Sequence, residues 1–262
     1  MRRRRHTSGR RRSAETRIAL VTAVCLAAIP ASAVETQPER GEPGLRDPRV
    51  SADVPNISGM WQVQGYSPVT VPFDGSPTPF QPWAQQVFDD YAAAEEAGAP
   101  LYDPNAECLP SGATRMVNSP YPTEIVQTPD KTIILHESKH SFRVIHMDAE
   151  HPDDYEQTFN GHSIGRWEDG VLVIDTVGLT EVTLLDERGT RHTDQLHVVE
   201  RVTPLDDGTL QWRYTLNDPG AYTEPWTAER IFVWRPEIRF FEYICEENNR
   251  NQPGEDGVLS SF

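Results

Sequence analysis

Lysine is nearly missing from this chain. Of its 24 lysines and arginines only Lys131 and Lys139 are lysines, so nearly every cation is a guanidinium. Cations are also outnumbered, because 40 aspartates and glutamates leave a formal charge of −16. A field of that sign repels phosphate backbones and anionic lipid, which argues against nucleic acid as a partner. Past residue 33 no stretch approaches ~18 uninterrupted apolar residues, so no membrane span is expected. No glycine-rich loop follows a strand and opens a helix, and no G-x-S-x-G elbow occurs. Nucleotide cofactors and an elbow-type serine hydrolase both lose support. No internal repeat is visible.

What is present begins with an export signature. MRRRRHTSGRRRSAETR is an arginine-rich leader, and IALVTAVCLAAIPASA is a short apolar run ending in Ala31-Ser32-Ala33, an A-x-A cleavage pattern. Residues 1–33 therefore read as a signal peptide and the mature chain as periplasmic or secreted. Those residues hold eight arginines and one glutamate, a charge of +7, so the mature chain would carry −23. Residues 34–55 are rich in Pro, Gly and charge without periodicity and read as a flexible linker; residues 250–262 read as a C-terminal tail. With Cys25 inside the leader, Cys108 and Cys245 remain. In an oxidising compartment they are expected to form one disulfide, with a pair of free structural thiols as the alternative.

The body of the chain, residues 56–249, divides by composition. An extended stretch opens at Asn56 and reaches Tyr66. Residues 67–122 are a Pro-rich insertion in which a helix is expected from Pro82, with Trp83, Val87, Phe88 and Tyr91 at helical spacing, to just before Gly98. From Thr123 onward TEIVQT, KTIILHE, SFRVIHM, FNGHSIGRW, GVLVIDTVG, QLHVVERV, TLQWRYTL, TAERIFVW and IRFFEYI are β-rich runs. Turn signals such as Asp169-Gly170 and Arg235-Pro236 separate them. About ten strands, expected to be antiparallel, point to an all-β up-and-down barrel with a Pro-rich helical insertion.

Chemistry concentrates between Gly161 and Arg201. His162 sits between Gly161 and Ser163, where small neighbours let a ligand or another backbone come close. On QLHVVERV, His197 and Glu200 differ in parity, so a regular strand cannot turn both inward, although one bulge would change that. His192 lies five residues before His197, and a turn would bring it toward His162. Arg143 and His146 lie on opposite faces of SFRVIHM. An inward arginine suits a carboxylate or an enolate-like oxygen, because its planar fork holds two acceptors. His162, His192, His197, Arg143 and Glu200 are accordingly the candidate catalytic groups, with imidazole chosen for its pKa of about 6.5. Trp61, Asp175 and Tyr214 are candidate substrate-lining positions. The letters of His136-Glu137-Ser138-Lys139-His140 match H-E-x-x-H, but that zinc motif needs a helix and KTIIL leads in as a strand. No metal and no cofactor are expected.

Gly59-x-Trp61 resembles the opening of lipocalin-like barrels, in which the tryptophan closes one end. Over a longer range ISGMW, PYPTEIVQTP, GHSIGRWEDGVLVIDTVGL, LHVVERV, DPGAYTEPWT and EYICEEN together resemble a family of exported bacterial proteins of unsettled function. The resemblance covers most of residues 56–249 and implies export and a lipocalin-like barrel; it carries over no catalytic role. A barrel of this kind encloses a side-chain core or one small ligand. The reading is an exported enzyme acting on a small aromatic or amphipathic molecule by His/Arg acid–base catalysis, of lyase or isomerase type. A non-catalytic small-molecule carrier is the alternative, and a barrel filled by its own side chains a third.

Overall fold

Side chains alternate between buried and more exposed along nine short segments, and each forms a strand. The computed structural model describes residues 46–205 and 208–245. Its strands are β1 (Gly59–Val63), β2 (Thr123–Gln127), β3 (Lys131–His136), β4 (Ser141–Met147), β5 (His162–Glu168), β6 (Val171–Val177), β7 (His197–Pro204), β8 (Thr209–Asn217) and β9 (Trp226–Trp234). They pair in chain order into a closed barrel, with β1 returning to β9 through Trp61↔Trp234. Closure gives every strand a partner on both sides, so no edge is left to aggregate.

Two expectations need correction. The barrel has nine strands, not ten: IRFFEYI follows a completed barrel and finds no free edge to join. It runs instead as irregular chain past the 137–140 turn, where Phe241 N–H donates to Glu137 Oε2 and Tyr243 N–H to His140 Nε2. Nor are the strands all antiparallel. β4 and β5 are parallel, with Ile145 opposite Ser163 and His146 opposite Ile164. Parallel neighbours need a long crossover to return the chain to the same end. Residues 148–161 supply it. The β5–β6 hairpin turns at Asp169 and Gly170, whose φ values of 47° and 82° are those its two-residue turn requires.

The barrel interior is a filled core. Ile145, Leu172, Ile174, Val198, Val202, Leu210, Leu216 and Phe232 are all buried, each contributing roughly 1.5–3 kcal/mol by leaving water. The insertion supplies α1 (Pro82–Glu96) and α2 (Ala113–Asn118). α1 starts on Pro82 as expected and buries only Ala84; it is anchored by Trp83 Nε1–H to the Gly220 carbonyl, 2.7 Å. α2 is buried along its whole length, and its Ala113, Met116 and Val117 meet Ile134, Trp212 and Phe232 of the barrel around a cavity of only about 10 Å³. That is room for about one water.

The described end of the expected linker, residues 46–55, is folded against β2. Asp47 N–H donates to the Gln127 carbonyl, and Gln127 Nε2 to the Pro55 carbonyl. Cys108 and Cys245 form a disulfide, which ties the insertion to the segment after β9 and is compatible with an oxidising compartment. No helix among the described residues is long and apolar enough to cross a membrane. The expected signal peptide, most of the linker and the C-terminal tail lie outside the described residues.

Candidate functional site

Strand parity divides the expected catalytic residues between the two sides of the barrel wall. Inside, Arg143 of β4 and Glu200 of β7 meet as a buried ion pair, 3% and 2% exposed. Arg143 also donates from Nε to Ser163 of β5 at 2.9 Å and from Nη2 to Thr176 of β6. Glu200 accepts a further bond from Trp212 Nε1–H at 3.0 Å, and Ser163 and Thr176 bond each other. Four of the five guanidinium N–H groups are thus engaged by protein. The arginine expected to hold a substrate oxygen is committed to Glu200 instead. The pair binds β4 to β7 and fixes the two strands between them.

Outside, three of the same four strands carry imidazoles and β6 carries a carboxylate. Ser163 and Thr176 point inward, so their neighbours His162 and Asp175 point outward, as does His197 three residues before Glu200. On this face His162 and His197 each sit diagonally across the sheet from Asp175, within reach of a side chain. The β4–β5 crossover lays His151 among them. His197 Nε2 lies 2.8 Å and His151 Nε2 3.0 Å from Asp175 Oδ1, while His151 Nδ1 lies 2.8 Å from His162 Nδ1. His146, outward on β4, stacks its ring on that of His162 at 5.2 Å between centroids.

The protonation pattern follows from this chain of contacts. Hydrogen bonds from His197 and His151 outweigh burial and hold the Asp175 carboxyl below its usual range, so it is ionised and accepts from both rings. When His151 is neutral, its proton sits on Nε2 toward Asp175 and its Nδ1 lone pair accepts Nδ1–H from His162. His162 is left with a free lone pair on Nε2. Burial, then the neighbouring rings of His151 and His146, lowers the His162 pKa, whereas the Asp175 contact raises that of His197. His162 is therefore a neutral base, backed by a second imidazole that a carboxylate holds in one tautomer. This is the base-and-orienter geometry of general acid–base catalysis. Among the described residues no group of three or more His, Cys, Asp or Glu side chains is arranged to hold a metal ion.

The glycine before the base has a definite task. Gly161 has φ of +66°, and a Cβ there would lie 2.5 Å from the Val177 carbonyl oxygen. The expected close approach at Gly161 is thus made by protein backbone.

The remaining expected residues go elsewhere. His192 is buried, its Nε2 at 2.7 Å from Thr183 Oγ1 and its Nδ1 at 2.9 Å from the Thr193 carbonyl, and burial lowers its pKa. It joins neither group. Trp61 packs edge-on against Trp234 and donates Nε1–H to the Ile57 carbonyl, a core role. Tyr214 is wholly buried, and burial pushes its hydroxyl up to about 12. His136 faces the cavity under α2, and burial lowers its pKa to about 4. His140 lies past a 3-10 turn in which Lys139 has φ of 61°, so the H-E-x-x-H letters do not form a helix. Sequence reasoning missed His151 altogether and gave His146 only a face. Neither carries a local signal of function, because the crossover that unites them with His162 exists only through the parallel pairing.

A comparison with protein-family models gives no match, and no curated protein matches the chain significantly in sequence.

Proposed function

We propose that the protein is an exported enzyme that moves a proton between His162 and a small-molecule substrate, in a lyase- or isomerase-type reaction on the outer face of the barrel. The observation that carries the reading is the hydrogen-bonded series His162–His151–Asp175–His197. His162 Nε2 takes a proton from the substrate, the resulting charge is shared through Nδ1–H with His151, and Asp175 stabilises it. Return of the proton from His162 to another substrate atom completes an isomerisation; its transfer to the departing group, as the bond to that group breaks, completes an elimination. No cofactor enters this scheme. Export is supported by the N-terminal signature and the disulfide. A lipocalin-like form of the barrel rests on the resemblance of Gly59-x-Trp61, which lies on β1.

Two parts of the sequence reading change. Arg143 is sealed in the core, so it takes no part in the chemistry. Trp61, a candidate substrate-lining position, is a buried core residue, as are Trp212 and Trp226. The cavity beneath α2, about 10 Å³, gives no support to a carrier that holds its ligand inside the barrel.

The test is proton exchange. The protein is incubated in D₂O with a panel of carbonyl compounds bearing acidic α-hydrogens, and deuterium incorporation is followed by NMR. Exchange that falls ~10²-fold or more in a folded His162→Gln variant, the usual worth of a positioned base, supports the proposal. Exchange equal in both proteins would refute it, as would no exchange across the panel.

A further inference from the structure

A second cavity lies away from the proton relay. It is an open groove of about 450 Å³ between α1, the loop after it and the segment joining β6 to β7, lined by Trp83, Val87, Tyr102, Glu181, Val182 and Arg191 over the buried His192. That size lies within the ~300–1,000 Å³ usual for small-molecule sites. About half of its wall is apolar and much of that is exposed: Trp83, Tyr102 and Val182 keep 44%, 45% and 38% of their surface in solvent. The indole is held in place, since its N–H is bound to the Gly220 carbonyl. One helix turn separates Trp83 from Val87, so both show the groove the same face of α1.

Arg191 supplies the polar anchor. Eight other described arginines hold a carboxylate within 4.0 Å, as expected where 40 acidic residues face 24 basic ones. Among the described residues the Arg191 guanidinium has no such partner and no hydrogen-bond acceptor. It rests instead above the Tyr102 ring, 5.8 Å from its centroid. Stacking on an aromatic face leaves the edge donors of a guanidinium free, and two of them match the oxygens of a carboxylate. His192 beneath is neutral, its ring nitrogens used by Thr183 and Thr193, so it adds no charge.

We propose that this groove binds a small amphipathic monocarboxylate, with the carboxylate on Arg191 and an aryl or short alkyl body against Trp83, Val87 and Val182. The apolar half of the wall favours an acid with an apolar body over a bare inorganic anion, which has nothing to place there. Glu181, lining the same groove, disfavours a second negative charge. The site is independent of the proton relay, and its failure would leave the relay untouched.

The experiment titrates the full exported protein with phenylacetate, octanoate and the uncharged phenylacetamide, using calorimetry and tryptophan fluorescence. The expected result is saturable binding of both acids and a fluorescence change that disappears in Trp83→Phe. In Arg191→Gln the acids weaken by ~10-fold or more, as loss of a charge-assisted hydrogen bond implies, while the amide is unaffected. Glu181→Gln strengthens the acids, and His162→Gln leaves them unchanged. Equal affinity of phenylacetate and its amide overturns the proposal. So does acid binding insensitive to Arg191→Gln, or no saturation by ~10 mM, a concentration well above a ~1 mM dissociation constant.

Discussion

Replacing Glu200 by Gln is the sharpest test of the division between the two faces. The side chain keeps its shape, but Arg143, 3% exposed, becomes a buried cation without a counter-charge. Removing one member of such a pair costs roughly 3–5 kcal/mol, a large share of the ~5–15 kcal/mol that holds a domain folded. With a urea slope of ~1–3 kcal/mol/M, the unfolding midpoint should fall by about 1–5 M. Urea titration followed by tryptophan fluorescence measures this directly. The double variant Arg143→Met/Glu200→Leu removes both charges and should recover most of the loss. It should still fall short of wild type by roughly 1–3 kcal/mol, because the Trp212 N–H then lacks an acceptor. A Glu200→Gln protein within ~1 kcal/mol of wild type would refute the reasoning, as would a double variant as unstable as the sum of the singles.

His136 should make stability depend on pH. Its pKa falls from 6.5 to about 4 in the fold, so the unfolded chain binds the extra proton between those values. The contribution is complete above pH 6.5 and declines by about 3 kcal/mol as pH drops to 4, at ~1.4 kcal/mol per unit. His136→Phe should flatten that part of the profile in urea titrations; an unchanged slope would contradict the burial argument. Reduction of Cys108–Cys245, which are 137 residues apart, should lower stability by about 5 kcal/mol in the chain-entropy model. Intact mass with alkylation should show both thiols only after reductant, and their labelling without it would disprove the bridge. Gly161→Ala puts a side chain at positive φ against the Val177 carbonyl, and should cost more than ~1 kcal/mol while displacing His162. Urea midpoints and the D₂O exchange assay report the two effects separately, and wild-type values in both would remove the constraint.

Much of the barrel was legible because half-buried strands carry a period of two. Eight of the runs from TEIVQT to TAERIFVW are β2 to β9 in order, and Pro82 and Gly98 bracket α1 as punctuation predicts. IRFFEYI misled for a reason of topology. Its composition suits a strand, but a barrel already closed by β1 on β9 has no ladder left to offer. The site was only half legible. Parity separates His197 from Glu200 and His146 from Arg143, and the structure keeps both separations without a bulge. What parity cannot supply is which strands lie side by side and in which sense. The parallel β4–β5 pairing forces the crossover, the crossover delivers His151, and His151 links His162 to Asp175. No property of residue 151 in the sequence announces that outcome.

The central claim is that His162 is a neutral base held by a relay ending on Asp175. Long-range ¹H–¹⁵N correlation of the histidine rings, recorded against pH, tests it without any substrate. The account predicts His162 as the Nδ1–H tautomer titrating below 6.5 and His197 titrating above 6.5, the directions their surroundings impose. In Asp175→Asn the His197 value should fall, and His151 should lose its fixed Nε2–H tautomer. A His162 ring protonated on Nε2, or one that titrates above 6.5, would contradict the relay.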